Sequence, residues 1–284
     1  MTKDRFGVVT LAALDARPRP DHRSELVSQL LLGETVRVLA ADRAGLWLRV
    51  RNDSDGYVGW VRAWGIRPLH AAAAERWRRR AKARIAGAYA IVTSEAGRGH
   101  VLTPAFWNGR IAVGRGRGPN RQVELPDGRR GWIRATALAA TRPHGLVARI
   151  RLLLGTPYLW GGRTPLGFDC SGFVQQLLWE QGMPLPRDAQ EQHDATRCPV
   201  LDASSLRLGD LVYFGTTPKS VGHVALALGR GYYAHCRGCV RINSLLRDNA
   251  MYDIELANQV VGFGRPSPKA RQEPRRTLRH LKST

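Results

Sequence analysis

The stretch Ser54-Asp-Gly-Tyr-Val-Gly-Trp-Val-Arg-Ala-Trp64 returns in altered form as Pro126-Asp-Gly-Arg-Arg-Gly-Trp-Ile-Arg-Ala-Thr136. Asp55/Asp127, Gly56/Gly128, Gly59/Gly131, Trp60/Trp132 and Arg62/Arg134 coincide. A repeat of this kind is one supersecondary unit used twice, so the first half of the chain must hold two copies of a small fold. Each Asp-Gly pair marks a tight turn, because glycine takes positive φ at little cost. Each copy also closes a series of short strand-like runs, such as Glu34-Thr-Val-Arg-Val-Leu-Ala and Leu46-Trp-Leu-Arg-Val. Two small β-barrels, in residues 1–70 and 85–142, satisfy this pattern, with the repeated Trp expected in each core.

The pair resembles tandem bacterial SH3-like domains. Between them, residues 71–84 read as a helical linker: alanines lead into Glu75-Arg-Trp-Arg-Arg-Arg-Ala-Lys, and the basic run suits a solvated helix face better than a polyanion patch. A third domain, residues 143–264, opens where Leu146, Val147, Ile150, Leu153 and Leu154 recur at helical spacing. Residues 265–284 carry seven basic residues, one acidic residue and three prolines, which predicts a disordered basic tail.

The 284 residues include 44 Lys+Arg against 23 Asp+Glu, a formal charge of +21. That balance invites a polyanion partner. The excess is nearly all arginine, which a GC-rich coding sequence also produces, and a nucleic-acid partner is not the favoured reading. The apolar runs fall short of the ~18 residues needed to cross a bilayer, so no membrane association is expected. Asp4, Asp15, Asp21 and Glu25 interrupt the region where a secretory signal needs an apolar stretch, and the expected compartment is the cytoplasm. Four cysteines are too few for a disulfide scaffold.

One of them has a distinctive setting. In Phe168-Asp-Cys-Ser-Gly-Phe-Val-Gln-Gln-Leu-Leu-Trp-Glu, Asp169 can cap a helix whose first residue is Cys170, with Phe173, Val174, Leu177 and Leu178 as its apolar stripe. Unpaired N–H groups at a helix start favour a thiolate, so a lowered thiol pKa is expected. Further on, Gly222-His-Val-Ala-Leu-Ala-Leu-Gly and Tyr232-Tyr-Ala-His235 are strand-like runs. Adjacent antiparallel strands would bring His223 and His235 together. A thiol, a base and a group that orients the base are the parts of nucleophilic catalysis. Cys236-Arg-Gly-Cys239 has spacing that metal or redox chemistry can use, but without a second ligand pair it reads as structural thiols. Cys198 has no visible partner.

Together, Tyr158-Leu-Trp-Gly-Gly, Asp169-Cys-Ser-Gly, Leu185-Pro-Arg-Asp-Ala-Gln, Leu208-Gly-Asp-Leu-Val-Tyr-Phe, His223 and His235 resemble, in order, the NlpC-type papain-like cysteine peptidases of bacterial cell-wall metabolism. With two SH3-like domains in front, the chain is similar to γ-D-glutamyl-L-diamino acid endopeptidases of muropeptide recycling. The resemblance implies an α+β catalytic domain, with the Cys170 helix packed on an antiparallel sheet bearing both histidines. It implies Cys170 as nucleophile, His223 as base and His235 as its orienting partner, with the Tyr158 hydroxyl and the Cys170 backbone N–H holding the oxyanion. It also implies that Asp188 binds the free amine of L-Ala in a murein-derived peptide. Asp169 and Ser171 would line the pocket, Glu25 and Tyr57 of the first barrel would close it, and no metal or other cofactor is implied. The competing readings are a secreted hydrolase of intact wall and an inactive wall- or nucleic-acid-binding scaffold.

Overall fold

A computed structural model describes residues 6–138, 145–198 and 202–267. The first half forms two antiparallel sheets. One runs in the order Val58–Arg62, Trp47–Asn52, Thr35–Ala41, Phe6–Val9, Ile66–Leu69, with the hairpin of Ala13–Ala16 and Ser28–Leu31 beside it. The other has six strands between Ala83 and Arg134. The first core is built from residues such as Val9, Val36, Val50 and Val61. The second includes Val92, Ile111 and Ile133, and Leu32 reaches into it from the first barrel. The barrels are therefore fused rather than strung on a linker.

The repeat explains the barrels differently from the expectation. Trp60 and Trp132 are only half-buried, whereas their neighbours Gly59, Val61, Gly131 and Ile133 face inward. Strand side chains alternate, so a glycine and an aliphatic residue on one face exclude the intervening Trp from it. The inward glycine is required by close approach: a Cβ on Gly131 would lie 2.7 Å from Leu102 and Val92 side-chain atoms. The Asp-Gly turns do form, with Gly56 at φ 78° and Gly128 at φ 93°.

The helix between the barrels, α1 (Ala71–Arg80), is shorter than the expected linker, because Ala83–Arg84 already belongs to the second sheet. Trp77 anchors it, donating to the Gly33 carbonyl at 2.8 Å. Arg78 pairs with Asp53 and Glu75, and Arg80 pairs with Glu124. The basic run is thus partly neutralised by neighbouring acids.

The third part opens with α2 (Leu146–Leu153), which buries Leu146, Ile150 and Leu153 and leaves Val147 and Leu154 exposed. Then come α3 (Cys170–Glu180), α4 (Ala189–Thr196) and a five-stranded antiparallel sheet. The sheet runs Cys239–Ser244, Tyr232–Arg237, Ser220–Gly229, Leu211–Thr217, Val260–Gly264. The first barrel followed by this mixed α+β domain is the architecture expected from the sequence. An apolar stripe understates α3, however: every residue from Cys170 to Trp179 is buried, including Gln175 and Gln176. The sheet covers one side of it. The second barrel covers another, where Asn108 donates to the Gln176 carbonyl at 3.0 Å and Arg84 to the Trp179 carbonyl at 2.8 Å. The expected tail begins too early as well. Arg265 is held by Asp210 through two hydrogen bonds, at 2.8 and 2.7 Å, and its N–H reaches the Thr196 carbonyl; residues 268–284 lie outside the described residues.

The first barrel joins the third domain through charge. Arg163 is fully buried and donates to Glu34 at 3.2 and 3.3 Å and to the Gln29 carbonyl at 2.6 Å, with its guanidinium over the Trp179 ring. A buried ion pair is weak evidence of stabilisation as a pair, but removing one partner strands the other charge. Arg163→Met should therefore lower unfolding free energy by about 3–5 kcal/mol in urea titration, with Glu34 left uncompensated. A loss under about 1 kcal/mol would show that the junction does not depend on this pair.

Candidate active site

Asp169 is the cap that starts α3: its Oδ1 accepts from the Gly172 N–H at 2.6 Å. The same carboxylate accepts from the Gly161 N–H at 3.0 Å, from Ser171 Oγ at 3.3 Å, and from both ends of the Arg187 fork at 3.0 and 2.5 Å. Ser171 Oγ in turn accepts from Arg187 at 2.9 Å. The polar atoms of Asp169 and Ser171 thus hold the helix start, the capping role expected of Asp169.

Cys170 sits at that start, buried, with the backbone N–H of Val224, the residue after His223, near enough to favour its thiolate. The nucleophile and the expected base are thus carried by adjoining segments. Burial pushes the Cys170 thiol up to about 12, and the Asp169 charge adds to the rise. This corrects the expectation of a resting thiolate. Desolvation opposes the charged form, and here it outweighs the helix start, the Val224 and Ser171 N–H groups and Arg187, all of which act the other way.

The two histidines do meet. His223 Nε2 lies 2.8 Å from His235 Nδ1, and His235 Nε2 lies 2.9 Å from Asn243 Oδ1. Burial lowers both rings, His223 to about 3 and His235 to about 4, so both are neutral near pH 7. Their tautomers then follow. Asn243 Nδ2 donates to the Met251 carbonyl at 3.0 Å, which aims Oδ1, an acceptor only, at His235. His235 must carry its proton on Nε2, and its Nδ1 must accept. His223 must therefore donate from Nε2, which leaves Nδ1 as the free basic nitrogen.

The Tyr158 side chain is half-buried and packs against the Cys170 core. Burial, with the nearby Cys170 and Asp169, raises its hydroxyl pKa, so it stays a proton donor. Asp188 occupies the position before α4 but makes no capping bond with its side chain. Burial raises its pKa against the pull of Arg187, and Asp169 and Asp55 add to the rise. Tyr57 from the first barrel lies in the same electrostatic neighbourhood, where burial and Asp188 raise its pKa. Glu25 is exposed, and the charges acting on Asp188 come from Arg187, Asp169 and Asp55 instead. Its neighbour Leu26 seats against Gly161 at the rim of this region.

In the sequence, Arg187, Arg163 and Asn243 carry no sign of a role at the site, and Asp55 only that of a turn residue. Arg187 stands inside the Pro186-Arg-Asp motif, and Arg163 follows a Gly-Gly pair, but nothing local says where an arginine will be buried. Asn243 is placed by a hairpin turning at Gly238 (φ 73°), which pairs His235 with Arg241. Asp55, completely buried, accepts from Gln175 on α3 at 3.2 Å. The same hairpin register separates the two strand thiols. Cys236 pairs with Val240 and Cys239 with Arg237, so they point to opposite faces of the sheet. Cys236 donates to the Phe168 carbonyl at 3.2 Å, and among the described residues no cluster could hold a metal ion.

Residues 155–255 match the NlpC/P60 family, and residues 16–65 match the bacterial dipeptidyl-peptidase SH3 domain. The chain is 27% identical over 241 residues to the γ-D-glutamyl-L-lysine dipeptidyl-peptidase of Bacillus cereus, covering 78% of this chain and 70% of that protein. It is 28% identical over 232 residues to the protein of the same name from Bacillus subtilis, covering 73% and 71%. An NlpC/P60 family protein of known structure from Bacillus cereus shares the fold with a TM-score of 0.77, over 92% of this chain and 99% of that one, at 22% identity.

Two outcomes follow from the neutral resting pair. Alkylation of Cys170 by iodoacetamide, followed by peptide mass spectrometry, should keep accelerating past pH 9; a plateau across pH 5–8 would reveal a resting thiolate and sink the assignment. Asn243→Leu, which frees the His235 tautomer, should lower kcat roughly 10- to 100-fold with little change in KM.

Proposed function

Since the chain is an NlpC/P60 cysteine peptidase with N-terminal SH3-like barrels, we propose that it hydrolyses the γ-D-Glu–L-diamino acid bond of murein stem peptides whose L-Ala amine is free. The observation that carries the reading is Asp188: a half-buried carboxylate at a helix start that does not cap the helix, beside Tyr57 of the first barrel. A half-buried carboxylate that is not used as a helix cap is open to pairing with a cation, and an N-terminal ammonium supplies one. The printed names of the two Bacillus relatives describe the same bond with lysine as the diamino acid.

The chemistry follows from the tautomers. As Sγ of Cys170 bonds to the γ-glutamyl carbonyl carbon, its proton passes to Nδ1 of His223. His235 and Asn243 hold the ring while it is charged, and the Tyr158 hydroxyl and the Cys170 N–H face the oxyanion. The tetrahedral adduct collapses to a thioester, and the His223 proton leaves with the diamino acid's amine. Water, deprotonated by the same nitrogen, then releases the L-Ala-γ-D-Glu product and the thiol. Proton transfer accompanies attack, because neither partner is charged at rest.

The test is hydrolysis of L-Ala-γ-D-Glu-L-diaminopimelate and its L-Lys counterpart, each with and without an N-acetyl cap. The cap should lower kcat/KM by about 100-fold or more, since it leaves Asp188 unpaired. Asp188→Asn should erase most of that discrimination, and Cys170→Ala should abolish turnover. Equal cleavage of capped and free substrates by the unaltered protein would remove the amine-reading role.

A further inference from the structure

Arg187 is fully buried, and its guanidinium reaches three places. Nε donates to Ser28 Oγ of the first barrel at 3.1 Å. Nη1 donates to Asp169 Oδ1 at 3.0 Å and to Ser171 Oγ at 2.9 Å, and Nη2 donates to Asp169 Oδ2 at 2.5 Å. The next residue in the chain is Asp188. One side chain thus stands between the cap of the nucleophile helix, the first barrel and the carboxylate assigned to the substrate's ammonium.

We propose that Arg187 is a positioning residue that couples the ammonium site at Asp188 to the alignment of the Cys170 helix. The inference rests on the reading of Asp188 given above. Its geometric part is the clamp. Without Arg187, the Asp169 carboxylate loses its two charged bonds and keeps only neutral donors, so the start of α3 is less firmly placed against Val224. A positional error of this kind is costly in catalysis even when no reacting group is removed.

The electrostatic part concerns the charge on Asp188. The groups acting on it are Arg187 from its own segment, Asp169 from the start of α3 and Asp55 from the first barrel, and Tyr57 and Glu191 share the neighbourhood. The carboxylates and burial all favour a protonated Asp188, whereas Arg187 opposes them. A protonated Asp188 cannot pair with an ammonium. Arg187 therefore favours the ionised form of the specificity carboxylate with the same guanidinium that fixes the nucleophile's helix. A lysine at this position would keep the charge but not the planar fork.

The experiment measures kcat and KM between pH 5 and 7.5 for Arg187→Met, Arg187→Lys and the unaltered protein, on the free-amine tripeptide and its N-acetyl form. Arg187→Met should raise KM for the free-amine substrate about 10-fold at the acid end, recovering as pH rises and Asp188 ionises, and should lower kcat about 10-fold throughout. In Arg187→Lys, KM and its pH profile should return toward normal while kcat stays low. Adding Asp188→Asn to Arg187→Met should remove the pH dependence of KM. A KM profile parallel to that of the unaltered protein in Arg187→Met, or a normal kcat in Arg187→Lys, would overturn the coupling. If Arg187→Met does not fold, Arg187→Lys decides the matter through kcat. Failure of the Asp188 reading is distinguishable, because it shows in the unaltered protein as equal cleavage of capped and free substrates.

Discussion

One carboxylate sets the geometry of the site. Asp169 receives hydrogen bonds from two backbone N–H groups, a hydroxyl and a guanidinium. The donors arrive from three pieces of chain: the Gly161 loop, the first turn of α3 and the segment before α4. A buried charge is tolerable only when it is paired and fully hydrogen-bonded, so these pieces must converge if the domain is to fold at all. The requirement to satisfy Asp169 is what brings the Tyr158 loop, Cys170 and Asp188 into one place. Folding and site assembly are the same event.

The reactive groups are arranged on a different principle. Cys170 is buried, His223 is half-buried, and both rest neutral, while the imidazole's orientation is fixed by a line of hydrogen bonds ending at the Met251 carbonyl. An ion pair at rest would need solvent or fixed charges around it, and Arg237 and Arg241, on the sheet near the histidines, disfavour a charged imidazole. In the proposed reaction, charge therefore develops only when substrate arrives, with the carbonyl oxygen as its destination. Electrostatic preorganisation of this kind incurs little reorganisation during the reaction.

What the sequence conveyed and what it did not divide along physical lines. The Asp169 cap, the Cys170 helix, the Asp-Gly turns and the two strand histidines were legible because each depends on local rules of capping, φ preference and alternation. The inward or outward sense of Trp60 depended on register, and a one-residue shift reverses every face. The resting state of Cys170 depended on burial set by tertiary packing, which no local motif encodes. Arg163 and Arg187 were illegible for the same reason. An arginine is ordinarily at the surface, and only the assembled junction reveals that Glu34, Gln29 and Ser28 await these two.

That junction also accounts for the asymmetry between the two copies of the repeat. Both Asp-Gly turns use the aspartate in the same local way, accepting from the N–H two residues on: Asp55 from Tyr57 at 3.0 Å and Asp127 from Arg129 at 3.0 Å. Beyond that they part. Asp55 is buried against Gln175 and Arg163, and Tyr57 sits beside Asp188. Asp127 pairs with its own neighbour Arg129 at the surface. The second copy is not idle, since Asn108 and Arg84 pack the far side of α3. The same small fold thus serves twice, once as a wall beside Asp188 and once as a backing for the nucleophile helix. The second barrel holds the far end of the nucleophile helix, at Gln176 and Trp179, while the first barrel reaches its start through Ser28 and Arg187.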